Sequence, residues 1–316
     1  MILTHLSTAM RAFRASLIAA IALLGFSAAK AQNFFDNTIS GVNLGNASGG
    51  TTGIHKTWAI FALSGNVNIT DATQNPTNHP DVLGDIGMAG AGNLSMSLSR
   101  VKGSVYQDTG AYNGGGTITG SVFTNQGVAY LNQAVTDANI AAVTASNLAR
   151  ATGAGASQLT ISGGISPSVL TGDSSGIALR GISGQIGAIG GPSAAAGQTY
   201  VLNLTDLILS GTGAILSLTG TASTNYVINV NRYLALSSGA QIALSGGLTP
   251  QNVLINLTPS IAYDVSMSGG STINGIILAT NRNVKLTGNS IVNGEVIAKA
   301  VSLSGSSQII NPLVSP

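Results

Sequence analysis

Apolar residues in this chain come in short runs cut by Gly, Asn and Ser. From Tyr200 onward they fall mostly at every second position, in Val201 to Leu204, Leu207 to Leu209, Ile215 to Leu218, Tyr226 to Val230, Leu234 to Leu236, Ile242 to Leu244 and Val253 to Leu257. That is the period of strands with one face buried. The pattern then becomes a tandem repeat: residues 265–279 read VSMSGGSTINGIILA and residues 284–298 read VKLTGNSIVNGEVIA, an offset of 19 residues. Val265/Val284, Gly269/Gly288, Ser271/Ser290, Asn274/Asn293, Gly275/Gly294 and Ala279/Ala298 are identical pairs, and a weaker third copy starts at Val301. A period near twenty residues, with an apolar face no single unit can bury, predicts a mainly β fold, a stacked β-solenoid (β-helix). Successive turns then place Val265 by Val284, Ile273 against Val292 and Gly269 over Gly288. Asn274 over Asn293 gives an amide ladder at a corner.

Upstream, the same reading predicts strands at Thr38 to Leu44, Trp58 to Leu63, Val67 to Ile69, Val82 to Met88, Leu94 to Leu98, Val101 to Tyr106, Thr117 to Phe123 and Leu159 to Ile161. Residues 71–82, with Asn75-Pro76 and His79-Pro80, read as a surface loop. The stretch from Ile161 to Pro192 carries little pattern. Residues 126–150 differ: Leu131, Val135, Ala138, Ala142, Ala145 and Ala149 recur at alternating spacings of 4 and 3, one face of an α-helix. Asn125 is placed to cap its start and Gly153 to accept the turn after it. An Ala-rich stripe needs a flat surface, and the side of the solenoid supplies one, so a single long helix is expected alongside the coil.

Composition adds export. Arg11 and Arg14 precede an apolar run from Ala15 to Phe26, and Ala29-Lys30-Ala31 has the small residues of a cleavage site. Residues 1–31 thus read as a signal peptide cut between Ala31 and Gln32, followed by one domain, 32–316. The remaining chain carries nine basic and ten acidic residues, a net charge of −1. That balance gives no reason to expect nucleic acid or an anionic membrane as partner. Charged residues are 7% of the chain against 44% hydrophobic, and there is no cysteine. A dry stacked core, without disulfides, must hold the fold.

Candidate chemistry is sparse. His55 and His79 lie in no metal-ligand spacing, and only Asp81 and Asp85 near His79 sketch a metal site, with an incomplete ligand set. Glu295 is the sole glutamate, at the position of Ile276 in the repeat, and reads as an exposed residue. There is no nucleophile elbow, no paired carboxylates and no phosphate cradle. Arg180, Arg232, Arg282 and Lys285 are scattered rather than gathered in a groove. Tyr106, Tyr112, Tyr130, Tyr200, Tyr226, Tyr233 and Tyr263 serve equally as core residues or as sugar-stacking platforms. No catalytic, cofactor-binding or metal-binding residues are assigned, and no cofactor is expected.

Two resemblances bear on function. Asn225-Tyr-Val-Ile-Asn229, Leu244-Ser-Gly-Gly247, Asn252-Val-Leu-Ile-Asn256, Ser268 to Ala279, Val292 to Lys299 and Leu303-Ser-Gly305 make residues 200–312 similar to the choice-of-anchor A domain family of exported bacterial proteins. That resemblance implies an adhesive, surface-displayed β-solenoid with no catalytic residues. Phe61-Ala-Leu-Ser-Gly65, Gly84-Asp-Ile-Gly87 and Thr117-Ile-Thr-Gly120 followed by a helix resemble the N-terminal half of bacterial ice-binding proteins. That family implies a flat face with ranked Thr, Ser and Ala. Thr117, Thr119, Thr160, Thr219 and Thr287 are candidates, yet they form no T-x-T column. The first expectation is a secreted or cell-surface structural module binding an extracellular surface or polymer. The second is an ice-binding protein, and the third a carbohydrate-active β-helix enzyme. Ligand, anchor and oligomeric state are open at this level.

Overall fold

The computed structural model describes residues 38–39, 42–43, 58–70, 81–124, 129–151, 177–182, 185–189, 199–258 and 263–313. Their strands form three parallel sheet faces around one apolar interior. The exception is a short antiparallel pair, Thr38–Ile39 with Val42–Asn43. Each coil contributes a strand to each face. In one coil these are 276–279, 284–286 and 291–293. In the next they are 296–298, 301–304 and 308–310.

Stacking follows the repeat. Val265 pairs with Val284, Ile273 with Val292 and Asn274 with Asn293. The amide ladder is present: Asn293 Nδ2 donates to Asn274 Oδ1 at 2.9 Å, and Asn274 Nδ2 to the Ile242 carbonyl at 2.8 Å. Alternation sends every second residue inward. On the first face an inward column runs through Leu202, Ile228, Ile255, Ile277, Val296, Ile60, Ile86 and Val105, all buried. Burying each is worth roughly 1.5–3 kcal/mol, which is how a chain with so few ionic groups keeps an ordered interior.

That column also shows the order of the coils. The strand Val296–Ser304 pairs on one side with Ile276–Leu286 and on the other with Trp58–Ala62 and Val67–Thr70. The coils stack from Ile177 through Ile310, then continue from Trp58 to Phe123. The first and last described coils of the chain therefore meet inside the solenoid. Asn311, fully buried, closes this seam: its Nδ2 donates to the Trp58 carbonyl at 2.7 Å and its N–H to the Leu83 carbonyl at 2.9 Å.

Helix α1 (Ala129–Ala151) links the coil ending at Phe123 to the far end of the stack. Its 23 residues span about 35 Å at 1.5 Å per residue, roughly seven coils at 4.8 Å. Its buried stripe is Leu131, Ala134, Ala138, Ala141, Ala142 and Ala145. Small side chains let the helix lie close on the first face, over Val227, Leu254, Ile276, Leu278 and Ile297. Beyond them the face presents an asparagine row that binds the helix directly. Asn229 Nδ2 donates to the Ala145 carbonyl at 2.9 Å, and Asn256 Nδ2 to the Ala142 carbonyl at 3.0 Å.

Several sequence expectations are corrected. Glu295 is buried, not exposed, because its position, like Ile276, belongs to the first face. Val82–Leu83 and Asp85–Met88 are separate strands on different faces, divided at Gly84 with φ 126°. Arg100–Lys102 and Val105–Gln107 divide likewise, as do Thr117–Ile118 and Val122–Phe123. The weakly patterned stretch contains two strands, Ile177–Ile182 and Gln185–Ile189. Residues 71–80, Asn125, Gly153 and the strand expected at 159–161 lie outside the described residues.

Candidate binding face

The second face lies on a side of the coil that α1 does not cover, since the helix packs on the first. Seven of its strands share the form apolar-x-apolar-Ser/Thr: Leu207 to Ser210, Leu234 to Ser237, Val265 to Ser268, Val284 to Thr287, Val301 to Ser304, Val67 to Thr70 and Leu94 to Ser97. The apolar pair points inward and is buried in every case. The other two positions point outward. The parallel register lines up Ser210, Ser237, Ser268, Thr287, Ser304, Thr70 and Ser97 as an outer rank beside the corner. An inner rank reads Ile208, Ala235, Ser266, Lys285, Ser302, Asn68, Ser95 and Asn113.

Neighbours within a rank are about 4.8 Å apart, the strand spacing, and the ranks are about 6.6 Å apart, two residues of extended chain. Ser237 Oγ donates to Ser210 Oγ at 3.0 Å, so hydroxyls can bond along the rank. The corner fixes them. After Ser268 and Thr287 the chain turns through Gly269 (φ 62°) and Gly288 (φ 60°), angles that residues with a Cβ disfavour. Buried serines brace the turn: Ser290 Oγ donates to the Thr287 carbonyl and Ser307 Oγ to the Ser304 carbonyl, both at 2.8 Å, and Ser271 does the same to Ser268. The result is a flat, short-chained, repetitive surface of groups that both donate and accept hydrogen bonds.

The residues singled out from sequence fall elsewhere, with two exceptions. Of the threonines, Thr287 sits in the outer rank. Thr219 lies on the third face and bonds Ser245 at 2.8 Å, Thr117 pairs with Arg100 on that face, and Thr119 follows it. Thr160 is outside the described residues. Lys285 sits in the inner rank, its Nζ bonded to Asp264 Oδ2. Arg232 makes a bidentate pair with buried Asp206, at 2.8 and 2.9 Å. Arg282 is buried and donates to the carbonyls of Asn231, Arg232 and Thr258, and burial lowers its pKa. Arg180 lies in a strand described by its backbone.

Tyr200 and Tyr226 stack in the interior, and burial raises the pKa of Tyr226. Tyr106 packs beneath the helix beside Trp58 and Phe123, and burial again raises its pKa. Tyr112 closes an end coil by donating to the Gly116 carbonyl at 3.2 Å. Tyr233 and Tyr263 stack on each other, 4.3 Å between centroids. Asp81 and Asp85 do not converge on a metal position. Asp81 Oδ2 accepts the Arg100 N–H and Asp85 Oδ1 the Ser104 N–H, each at 2.7 Å. His55 and His79 lie outside the described residues. Among the described residues no group of three acids or histidines could hold a metal ion, and no helix is long and apolar enough to cross a membrane.

The hydroxyl rank escapes a search for Thr-x-Thr because its seven coils use serine or a lone threonine, and its members are brought together by register. The signal in the sequence is the recurring apolar-x-apolar-Ser/Thr quartet followed by a turn.

No family model matches the chain, and no curated protein matches it by sequence. Solved structures do. It is similar to an ice-binding protein from the Antarctic ascomycete Antarctomyces psychrotrophicus, at 18% identity and TM-score 0.47, covering 82% of this chain and 95% of that one. It is similar to a glycosylated ice-binding protein from an Arctic yeast, at 19% identity and TM-score 0.48, covering 82% and 92%. The DUF3494 domain of Shewanella frigidimarina ice-binding protein 1 is similar at 13% identity and TM-score 0.43, covering 82% and 95%.

Proposed function

We propose that this chain is an ice-binding protein and that the second face is the surface that meets ice. The observation that supports it is the outer rank, in which seven stacked coils carry a Ser or Thr hydroxyl at one register position. A small molecule is held in a concave pocket. A flat face with a two-dimensional repeat fits a partner that is itself periodic. Hydroxyls at spacings comparable to oxygen repeats in ice can replace lattice waters, donating and accepting as water does. Short side chains on a braced sheet lose little rotamer freedom on adsorption. The adhesive reading draws on the choice-of-anchor A resemblance, and the rank supports ice more directly. Export through the leader at 1–31 belongs to the same proposal, since ice forms outside the cell.

The test compares two substitutions in one coil. Ser268→Tyr lifts a ring above the second face, while Thr272→Tyr places the same ring on the third face. Thermal hysteresis and inhibition of ice recrystallisation are measured for both and for the unsubstituted protein. The unsubstituted protein and Thr272→Tyr are expected to be active, and Ser268→Tyr to lose most activity. No activity in the unsubstituted protein at high concentration, or equal losses in both variants, would refute the assignment.

A further inference from the structure

Among the described residues of the two ranks, Lys285 is the sole charged side chain. It occupies the inner rank between Ser266 and Ser302, next to Thr287 of the outer rank. The 19-residue repeat places serine at the equivalent position of the preceding coil. The lysine side chain is 54% exposed, and its ammonium bonds Asp264, itself 34% exposed, at the start of the neighbouring strand. A lysine stem stands higher than its serine and alanine neighbours, and its ammonium is a compact, strongly hydrated point charge. Pressing it against a neutral lattice strips part of that hydration, which is costly. The exposed ion pair offsets little of this cost.

Resting on the ice-binding reading, we propose that Lys285 weakens adsorption by splitting the inner rank into two shorter fields. Asp264 limits the damage by drawing the ammonium toward itself. The outer rank, unbroken from Ser210 to Ser97, then carries most of the contact. The position is exposed and its pair is a surface one, so replacement leaves the core untouched.

The experiment measures thermal hysteresis for the unsubstituted protein, Lys285→Ser, Asp264→Asn and Lys299→Ser. Lys299 is an exposed lysine outside the ranks and controls for the loss of one positive charge. Lys285→Ser is expected to raise hysteresis severalfold at equal concentration, Asp264→Asn to lower it, and Lys299→Ser to leave it unchanged. An active unsubstituted protein with Lys285→Ser equal or weaker overturns this inference and leaves the ice-binding assignment standing. A rise of the same size in Lys299→Ser also overturns it, because net charge would then be the cause. Inactivity of every form overturns both.

Discussion

Ser307→Ala is expected to destabilise the protein more than Ser271→Ala, though both remove a buried serine hydroxyl from the same corner in different coils. In each, the lost hydroxyl donates to the carbonyl three residues back, Ser304 or Ser268. A hydrogen bond of that kind contributes about 0.5–1.5 kcal/mol. Ser307 does one thing more: its Oγ accepts the buried N–H of Ser290 at 3.2 Å. Alanine leaves that N–H without its acceptor, at a cost of about 1–3 kcal/mol. The expectation is a loss of about 1 kcal/mol for Ser271→Ala and about 2–4 kcal/mol for Ser307→Ala. Urea unfolding followed by circular dichroism measures both, with unchanged m-values as the check that the two variants unfold from equivalent states. Equal losses, or a larger loss for Ser271→Ala, would refute the idea that the stacked serines are linked from coil to coil.

Two further changes probe the two sides of the first face. A Cβ at Gly87 would lie 2.5–2.6 Å from the rings of Trp58 and Phe61, beneath the helix. Gly87→Ala should therefore cost about 1–3 kcal/mol through overpacking, read as a lowered melting temperature. Tyr226 is the alkaline weak point. Burial, then neighbouring Tyr200, raises its pKa from 10.0, so the folded state holds the neutral phenol while the unfolded chain ionises. The stabilisation is whole below pH 10 and declines above it, by about 1.4 kcal/mol per pH unit. Tyr226→Phe loses the bond to the Thr219 carbonyl and is less stable at pH 8. Its stability should fall less steeply than that of the unsubstituted protein between pH 10 and 11.5, and parallel curves would refute the assignment.

The coil itself was legible because its cause is local. Apolar residues at every second position, a 19-residue offset, and Gly at Gly269 and Gly288 state which side chains turn inward and where the chain bends. The helix was legible for the same reason, since Leu131, Ala138, Ala142 and Ala145 mark one face at helical spacing. Ala134 and Ala141, buried beside them, carry no such mark, because alanine on a helix reads as propensity until a surface is pressed against it. The burial of Glu295 is not legible in the repeat, because what covers an outward position is set by tertiary packing and not by the local pattern.

What the sequence determined alone, then, was the strand, the corner and the fact of stacking, all consequences of φ/ψ preference and side-chain period within about twenty residues. It did not determine the order of the coils. Any coil edge offers the same N–H and C=O groups to the next, so the backbone cannot specify a neighbour. Tertiary structure decides that Val296–Ser304 lies between Ile276–Leu286 and Trp58–Thr70, through contacts such as Asn311 to Trp58 that join residues remote in the chain. That junction carries the outer rank unbroken from Ser304 to Thr70, so the seven-coil hydroxyl face exists only once the segments at 58–70 and 296–304 have met.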